Sequence, residues 1–216
     1  MVTIFITLYV LIFNTLLWKV SGAKEKYRIL HVAANSKSTW SKPNLMRTQR
    51  FQMGHANVSF CHPIANSEGS PIPMSNSTQD IQSITPVNLS PTECANPKCT
   101  IPNFGTPVLS SCEVVAQALM NNSTGTFVAP PNTWVVVSHG NCALAFQNNV
   151  ENKYTLQYRW AQFGLEAVKL IDRCLLPQDG PTGGQCLYDS YLDYKFEKVG
   201  IMLSSWKDEI NFIDSD

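Results

Sequence analysis

Residues 155–174, TLQYRWAQFGLEAVKLIDRC, decide the fold class. Leu156, Trp160, Phe163, Ala167, Leu170, Ile171 and Cys174 recur at the three- and four-residue steps of one helix face. Gln157, Arg159, Gln162, Glu166, Lys169 and Arg173 fall largely off that stripe. The spacing predicts an amphipathic helix over about 155–174 with its apolar side on a core. Trp160 and Phe163 read as core residues before they read as a ligand platform.

Upstream, Trp134, Val135, Val136 and Val137 are apolar and mostly β-branched, His139-Gly140-Asn141 is turn chemistry, and Cys142, Leu144 and Phe146 alternate on the return. This predicts a β-hairpin. A first helix is expected from Ser110, where Ser110 and Glu113 have capping-box spacing, with Val115, Ala118 and Leu119 as its stripe and Asn121-Asn122 as its stop. Pro177, Gly180, Pro181, Gly183 and Gly184 predict a tight loop. Val199, Ile201 and Leu203 then alternate in a last strand over about 198–204. The order helix, strand, strand, helix, strand predicts an α+β domain over 106–206: a small antiparallel sheet covered on one face by two helices. About a hundred residues suffice for one core.

The seven cysteines are Cys61, Cys94, Cys99, Cys112, Cys142, Cys174 and Cys186. None forms a Cys-x-x-Cys pair, and their spacing fits no zinc template. They read as disulfide partners from an oxidising compartment. Following the predicted connectivity brings Cys112, Cys142, Cys174 and Cys186 to one end of the sheet. Three pairings of these four are open, and the tendency of consecutive elements to be neighbours favours Cys142–Cys174. Cys94 and Cys99 are expected to close a local ring, leaving Cys61 as the odd cysteine.

From 23 to 105 the chain is rich in Ser, Thr, Asn, Pro and Gln, and stretches such as 67–80 (SEGSPIPMSNSTQD) have neither helical nor strand period. Such segments bury too little apolar surface to offset their ordering entropy. A long, polar, largely irregular segment is expected here, with one short strand at 27–32 (YRILHV). Arg47-Thr48-Gln49-Arg50 reads as an exposed charged turn before it reads as a basic processing site.

Ahead of this, residues 3–18 are almost wholly apolar and are followed by Ser21, Gly22 and Ala23, the order of a signal peptide covering about 1–22. The competing arrangement is a signal anchor, because Lys19, Lys24, Lys26 and Arg28 follow the apolar run instead of preceding it. Asn-x-Ser/Thr sequons stand at Asn57, Asn76, Asn88, Asn121 and Asn122, the last two overlapping. With 16 basic and 16 acidic residues, the formal charge is zero. No basic stripe is present to meet a nucleic acid. Asp208, Glu209, Asp214 and Asp216 crowd residues 207–216, which read as a solvated acidic tail.

The sequence carries Ser-Ser-Cys at 110–112, a Pro- and Trp-flanked strand at 131–134 and Gly-Asn-Cys-Ala at 140–143. It also carries Leu-Ile-Asp-Arg-Cys at 170–174 and Gly183-Gly184 before a final strand. Over about 106–206 this order resembles a broad group of small cysteine-containing secreted proteins of filamentous fungi. In outline it is similar to killer-toxin-like and necrosis-inducing α/β proteins. The resemblance implies a candidate effector or virulence protein.

No Gly-x-Ser-x-Gly elbow, His-Glu-x-x-His helix or phosphate loop occurs. His139 lies three residues before Cys142, but a disulfide there would leave no thiol for a base to activate. Gly180 to Gly184 (GPTGG) reads as an ordinary loop before an anion-binding nest. The expectation is a secreted, extracellular, glycosylated, non-enzymatic protein of effector or toxin type. It has no cofactor, metal site or stable membrane insertion once the leader is removed, and its partner is a host or competitor protein or glycan. A small hydrolase with an unrecognised site and a structural cell-wall glycoprotein are the alternatives.

Overall fold

The computed structural model describes residues 45–63, 85–99, 105–177, 182–207 and 212–214. In chain order the elements begin with β1 (Leu45–Met53), β2 (Ala56–Pro63), β3 (Val87–Asn88) and α1 (Leu109–Asn121). Next come β4 (Thr126–Ala129), β5 (Thr133–His139), β6 (Cys142–Asn148), β7 (Leu156–Arg159) and α2 (Trp160–Leu170). A single π-helical turn (Ile171–Leu175) extends α2, and β8 (Gly184–Tyr191), β9 (Tyr194–Ser205) and β10 (Phe212–Asp214) complete the order.

Among the described residues the main sheet has seven strands in the order β10-β1-β2-β5-β6-β9-β8, antiparallel except where β10 runs parallel to β1. A second sheet has three described strands in the order β3-β7-β4. Among the described residues the architecture is therefore α+β, a mostly antiparallel sheet with two helices. Val135 and Val137 of β5, Leu144 and Phe146 of β6, and Ile201 and Leu203 of β9 point towards the helices. There they join Val115 and Leu119 of α1 and Phe163, Ala167 and Leu170 of α2 in the larger core. The intervening residues Trp134, Val136, Ala143, Ala145 and Met202 form a second buried cluster on the opposite face with Leu45, Cys61, Leu187 and Trp206. Strand alternation thus serves both faces.

Several expectations change. Residues 45–63 lie in the span expected to be irregular, yet β1 and β2 form a hairpin in the main sheet, closed at Met53↔Ala56. Ala56 and Val58 alternate into the larger core while Asn57 and Ser59 take the other face, and Gly54 supplies the positive φ of the turn (+57°). Arg47 and Arg50 therefore sit in a strand, not in a turn. The signal segment, the predicted strand at 27–32 and most of the polar stretch lie outside the described residues.

The predicted long helix starts five residues late. Residues 156–159 are β7, whose pairing with β4 through Leu156↔Ala129 to Arg159↔Thr126 competes with helical continuation and wins. The first helix begins at Leu109, so Ser110 is not its cap. Instead, the Asn141 side-chain oxygen accepts the Val108 amide at 2.8 Å. The expected loop ends at Gly184, where β8, a strand that the sequence reading did not include, begins and pairs with β9 from Gly184↔Leu203 to Tyr191↔Tyr194. The acidic tail also contains a strand, β10.

Candidate functional site

Three disulfides join distant segments: Cys94–Cys186, Cys99–Cys174 and Cys112–Cys142. The expected Cys142–Cys174 pair does not form. Cys112 lies in the first turn of α1 and Cys142 opens β6 beside the hairpin turn, so these two meet with 5.2 Å between their Cα atoms. The expected ring between Cys94 and Cys99 does not form either. Each reaches a different element, β8 through Cys186 and the π-turn through Cys174. Cys61 lies outside the three pairs, fully buried in β2.

Residues 87–99 form a strap laid along β7, α2 and β8. β3 pairs in parallel with β7 at Val87↔Leu156 and Asn88↔Gln157. The Ser90 hydroxyl accepts the Arg159 amide at 3.0 Å, and the Tyr158 hydroxyl donates to the Thr92 carbonyl at 3.1 Å. Lys98 and Gln185 exchange backbone hydrogen bonds of 2.9 and 2.8 Å. Two of the three disulfides then hold the end of the strap.

Beneath the strap lies a concentration of titratable groups. Glu166, read from its helical phase as solvent-facing, is 0% exposed. Its Oε2 accepts the Cys94 amide at 3.0 Å, and its Oε1 accepts from Lys169 Nζ at 3.1 Å and Gln162 Nε2 at 3.3 Å. Lys169 Nζ also donates to Glu93 Oε2 at 2.7 Å, so one ammonium joins helix and strap. Burial pushes the Glu166 carboxyl above the ordinary range, against the pull of the Cys94 amide and Lys169. Burial acts to lower the Lys169 ammonium, but its bonds to Glu93 and Glu166 outweigh this and hold it above its ordinary value. The hydroxyls of Tyr158 and Tyr188 lie 3.5 Å apart, and burial drives both well above the ordinary tyrosine range. Both therefore stay protonated at neutral pH. Each Glu166 oxygen already accepts a hydrogen bond inside the fold, and the cluster pins the strap to α2. The sequence does carry a signal for it. Glu166 stands three residues after Phe163 and four before Leu170, at the margin of the buried stripe.

The other residues singled out in the sequence are scattered. His139 Nδ1 donates to the His55 carbonyl at 2.8 Å, tying the two hairpin turns together. Its neighbour Cys142 is in a disulfide and offers no thiol. Trp160 and Phe163 are core residues packed around Phe127. In the glycine-rich loop, Gly184 opens β8, whereas Gly180 and Pro181 lie outside the described residues. Among the sequons, Asn88 and Asn121 are exposed and Asn57 and Asn122 are half-buried, while Asn76 lies outside the described residues. Among the described residues no helix is long and apolar enough to cross a membrane, and no group of three or more His, Cys, Asp or Glu side chains is placed to hold a metal ion. No protein-family model, curated protein or solved structure matches the chain.

Proposed function

We propose that this is a secreted, extracellular protein of effector or toxin type that binds a host or competitor macromolecule without turning it over. The observation that carries the reading is the set of three disulfides, each joining segments at least 30 residues apart. Such bonds persist in oxidising compartments and are rare in the cytosol. The apolar leader-like run at 3–18 and the sequons at Asn57, Asn76, Asn88, Asn121 and Asn122 support the same route. The binding role is supported by the use made of the reactive groups. Glu166 is enclosed under the strap, and Cys142 is bonded beside His139.

The test starts with expression of the full chain in a eukaryotic secretory host. Intact mass is taken of the product in the medium, after glycan removal, with and without reduction. A soluble species lacking about the first 22 residues, with six cysteines protected before reduction, is expected. The oxidised protein is then applied to living target cells, and its extracellular contacts are cross-linked. A cell response together with a captured partner is the expected result. Absence of both counts against the reading, and a substrate turnover lost in His139→Ala with the fold intact replaces it with a hydrolase.

A further inference from the structure

The two overlapping sequons at the end of α1 have different surroundings. Glu113, Gln117, Met120 and Asn121 are exposed and share the outward face of the helix. Asn121 closes that face, and Ser123, the hydroxyl residue of its sequon, is exposed as well. Asn122 turns the other way. It is half-buried, and its backbone amide donates to the Leu119 carbonyl at 3.2 Å. A Cβ on Gly125 would lie 2.5 Å from Asn122 Oδ1 and 2.7 Å from Trp160 Cδ1. The Asn122 carboxamide is therefore folded into the turn between α1 and β4, against Gly125 and beside the indole.

Asn57 has a third setting. It lies within β2, in register with Gln52 of β1 and Ser138 of β5. Val58 and Ser59 complete its sequon and are buried, and so is Ser138 beside it. N-glycans are added to the extended chain, so folding then decides which glycosylated chains can close. A bulky, solvated glycan suits an exposed helix end. It obstructs a side chain packed into a turn or between paired strands.

We propose that Asn121 is N-glycosylated in the mature protein, that Asn122 and Asn57 are bare, and that the Asn121 glycan covers the outer side of the α1–α2 pair. This rests on the secreted reading above and names the modification that the route installs. The donor is an oligosaccharide carried on a polyprenyl pyrophosphate. Asn121 Nδ2 bonds to the anomeric carbon of the sugar. The bond from that carbon to the pyrophosphate oxygen breaks, its electron pair leaves on the lipid pyrophosphate, and the amide gives up one proton to the transferring enzyme. What the glycan covers is apolar. Met120 is 41% exposed and lies against Gly164, and Leu165, next to that glycine on α2, is 43% exposed. Grouped apolar side chains of this kind favour association unless something solvated covers them.

The full chain is expressed in a eukaryotic secretory host and treated with peptide-N-glycosidase in heavy-oxygen water, which turns each glycosylated asparagine into labelled aspartate. Label is expected at Asn121 and not at Asn122 or Asn57. The overlap allows each sequon to be removed with both asparagines left in place. Ser123→Ala removes only that of Asn121, and Thr124→Ala only that of Asn122. Both hydroxyl residues are exposed, and circular dichroism verifies that the variants fold. Ser123→Ala is expected to lose the mass of one glycan, and Thr124→Ala to keep it. Trimming the glycan of the native protein to its first sugar is expected to raise the fluorescence of an apolar dye, and Met120→Ser with Leu165→Ser to remove that rise. Label at Asn122 or Asn57, no label at Asn121, a glycan that moves to Asn122 in secreted Ser123→Ala, or a dye signal indifferent to trimming overturns the proposal. Any of these in a disulfide-bonded product in the medium leaves the secreted reading standing, whereas an unglycosylated chain retained in the cell overturns both.

Discussion

Glu166 shows how one side chain settles the position of a whole segment. It has no exposure, and it holds the Cys94 amide and the Lys169 ammonium at once. Glu166→Ala leaves the Cys94 amide without its acceptor, and a loss of about 1–3 kcal/mol is expected, read from denaturant midpoints. The pH dependence has a definite sign. The folded-state pKa is raised, so between the ordinary carboxylate range and that raised value the fold binds more protons than the unfolded chain. The contribution of Glu166 is therefore most favourable below the ordinary range and declines as pH rises through the interval. Melting temperatures of the wild type minus those of Glu166→Gln, measured across acid to neutral pH, are expected to fall with rising pH; a rise would show that the amide and ammonium outweigh burial. Period counting placed Glu166 outside because the stripe was drawn through apolar residues alone. What covers its face is a strap brought from more than 70 residues away in sequence, and no local pattern encodes that.

At the scale of elements, α1 and α2 meet through Gly164. A Cβ there would lie 2.9 Å from both Leu119 Cβ and Met120 Cγ and 3.1 Å from the Met120 backbone nitrogen. The helices approach closely because that methylene is missing. Gly164→Ala gains helix propensity but forces the pair apart, with a net loss of about 1–3 kcal/mol expected in thermal or denaturant unfolding. The central β5–β6 hairpin was legible from its β-branched run and its turn residues. So was the buried face of α2, since Trp160, Phe163, Ala167 and Leu170 are all in the core. Two boundaries were not. β7 shares the helical phase of Leu156 and Trp160, and the pairing of 156–159 with β4 chooses between the two readings. The β1–β2 hairpin carried its own signal in Gly54-His55 between Met53 and Ala56, but the surrounding Ser, Asn and Pro content diluted it.

At the scale of the molecule, the cysteines were legible as a class and not as pairs, because pairing depends on where the strap crosses. Two bridges are nested, with Cys99–Cys174 inside the loop closed by Cys94–Cys186. Chain-entropy reasoning then forbids simple addition. With Cys99–Cys174 intact, breaking Cys94–Cys186 reopens a ring of only about 17 residues, worth about 3 kcal/mol, whereas breaking it in a chain already lacking Cys99–Cys174 opens the full loop at about 4–5 kcal/mol. A double-mutant cycle with paired alanine substitutions at the four cysteines is expected to show this non-additivity of about 1–2 kcal/mol in denaturant midpoints. Equal losses in both backgrounds would place the stabilisation in native packing instead. The same nesting has a consequence for survival outside the cell. Residues 94–99 and 174–186 form one covalent circle, so a protease that cuts a single peptide bond between 175 and 185 severs the chain without releasing either piece. A molecule nicked in that arc keeps its mass, apart from one added water, until a reductant reaches it.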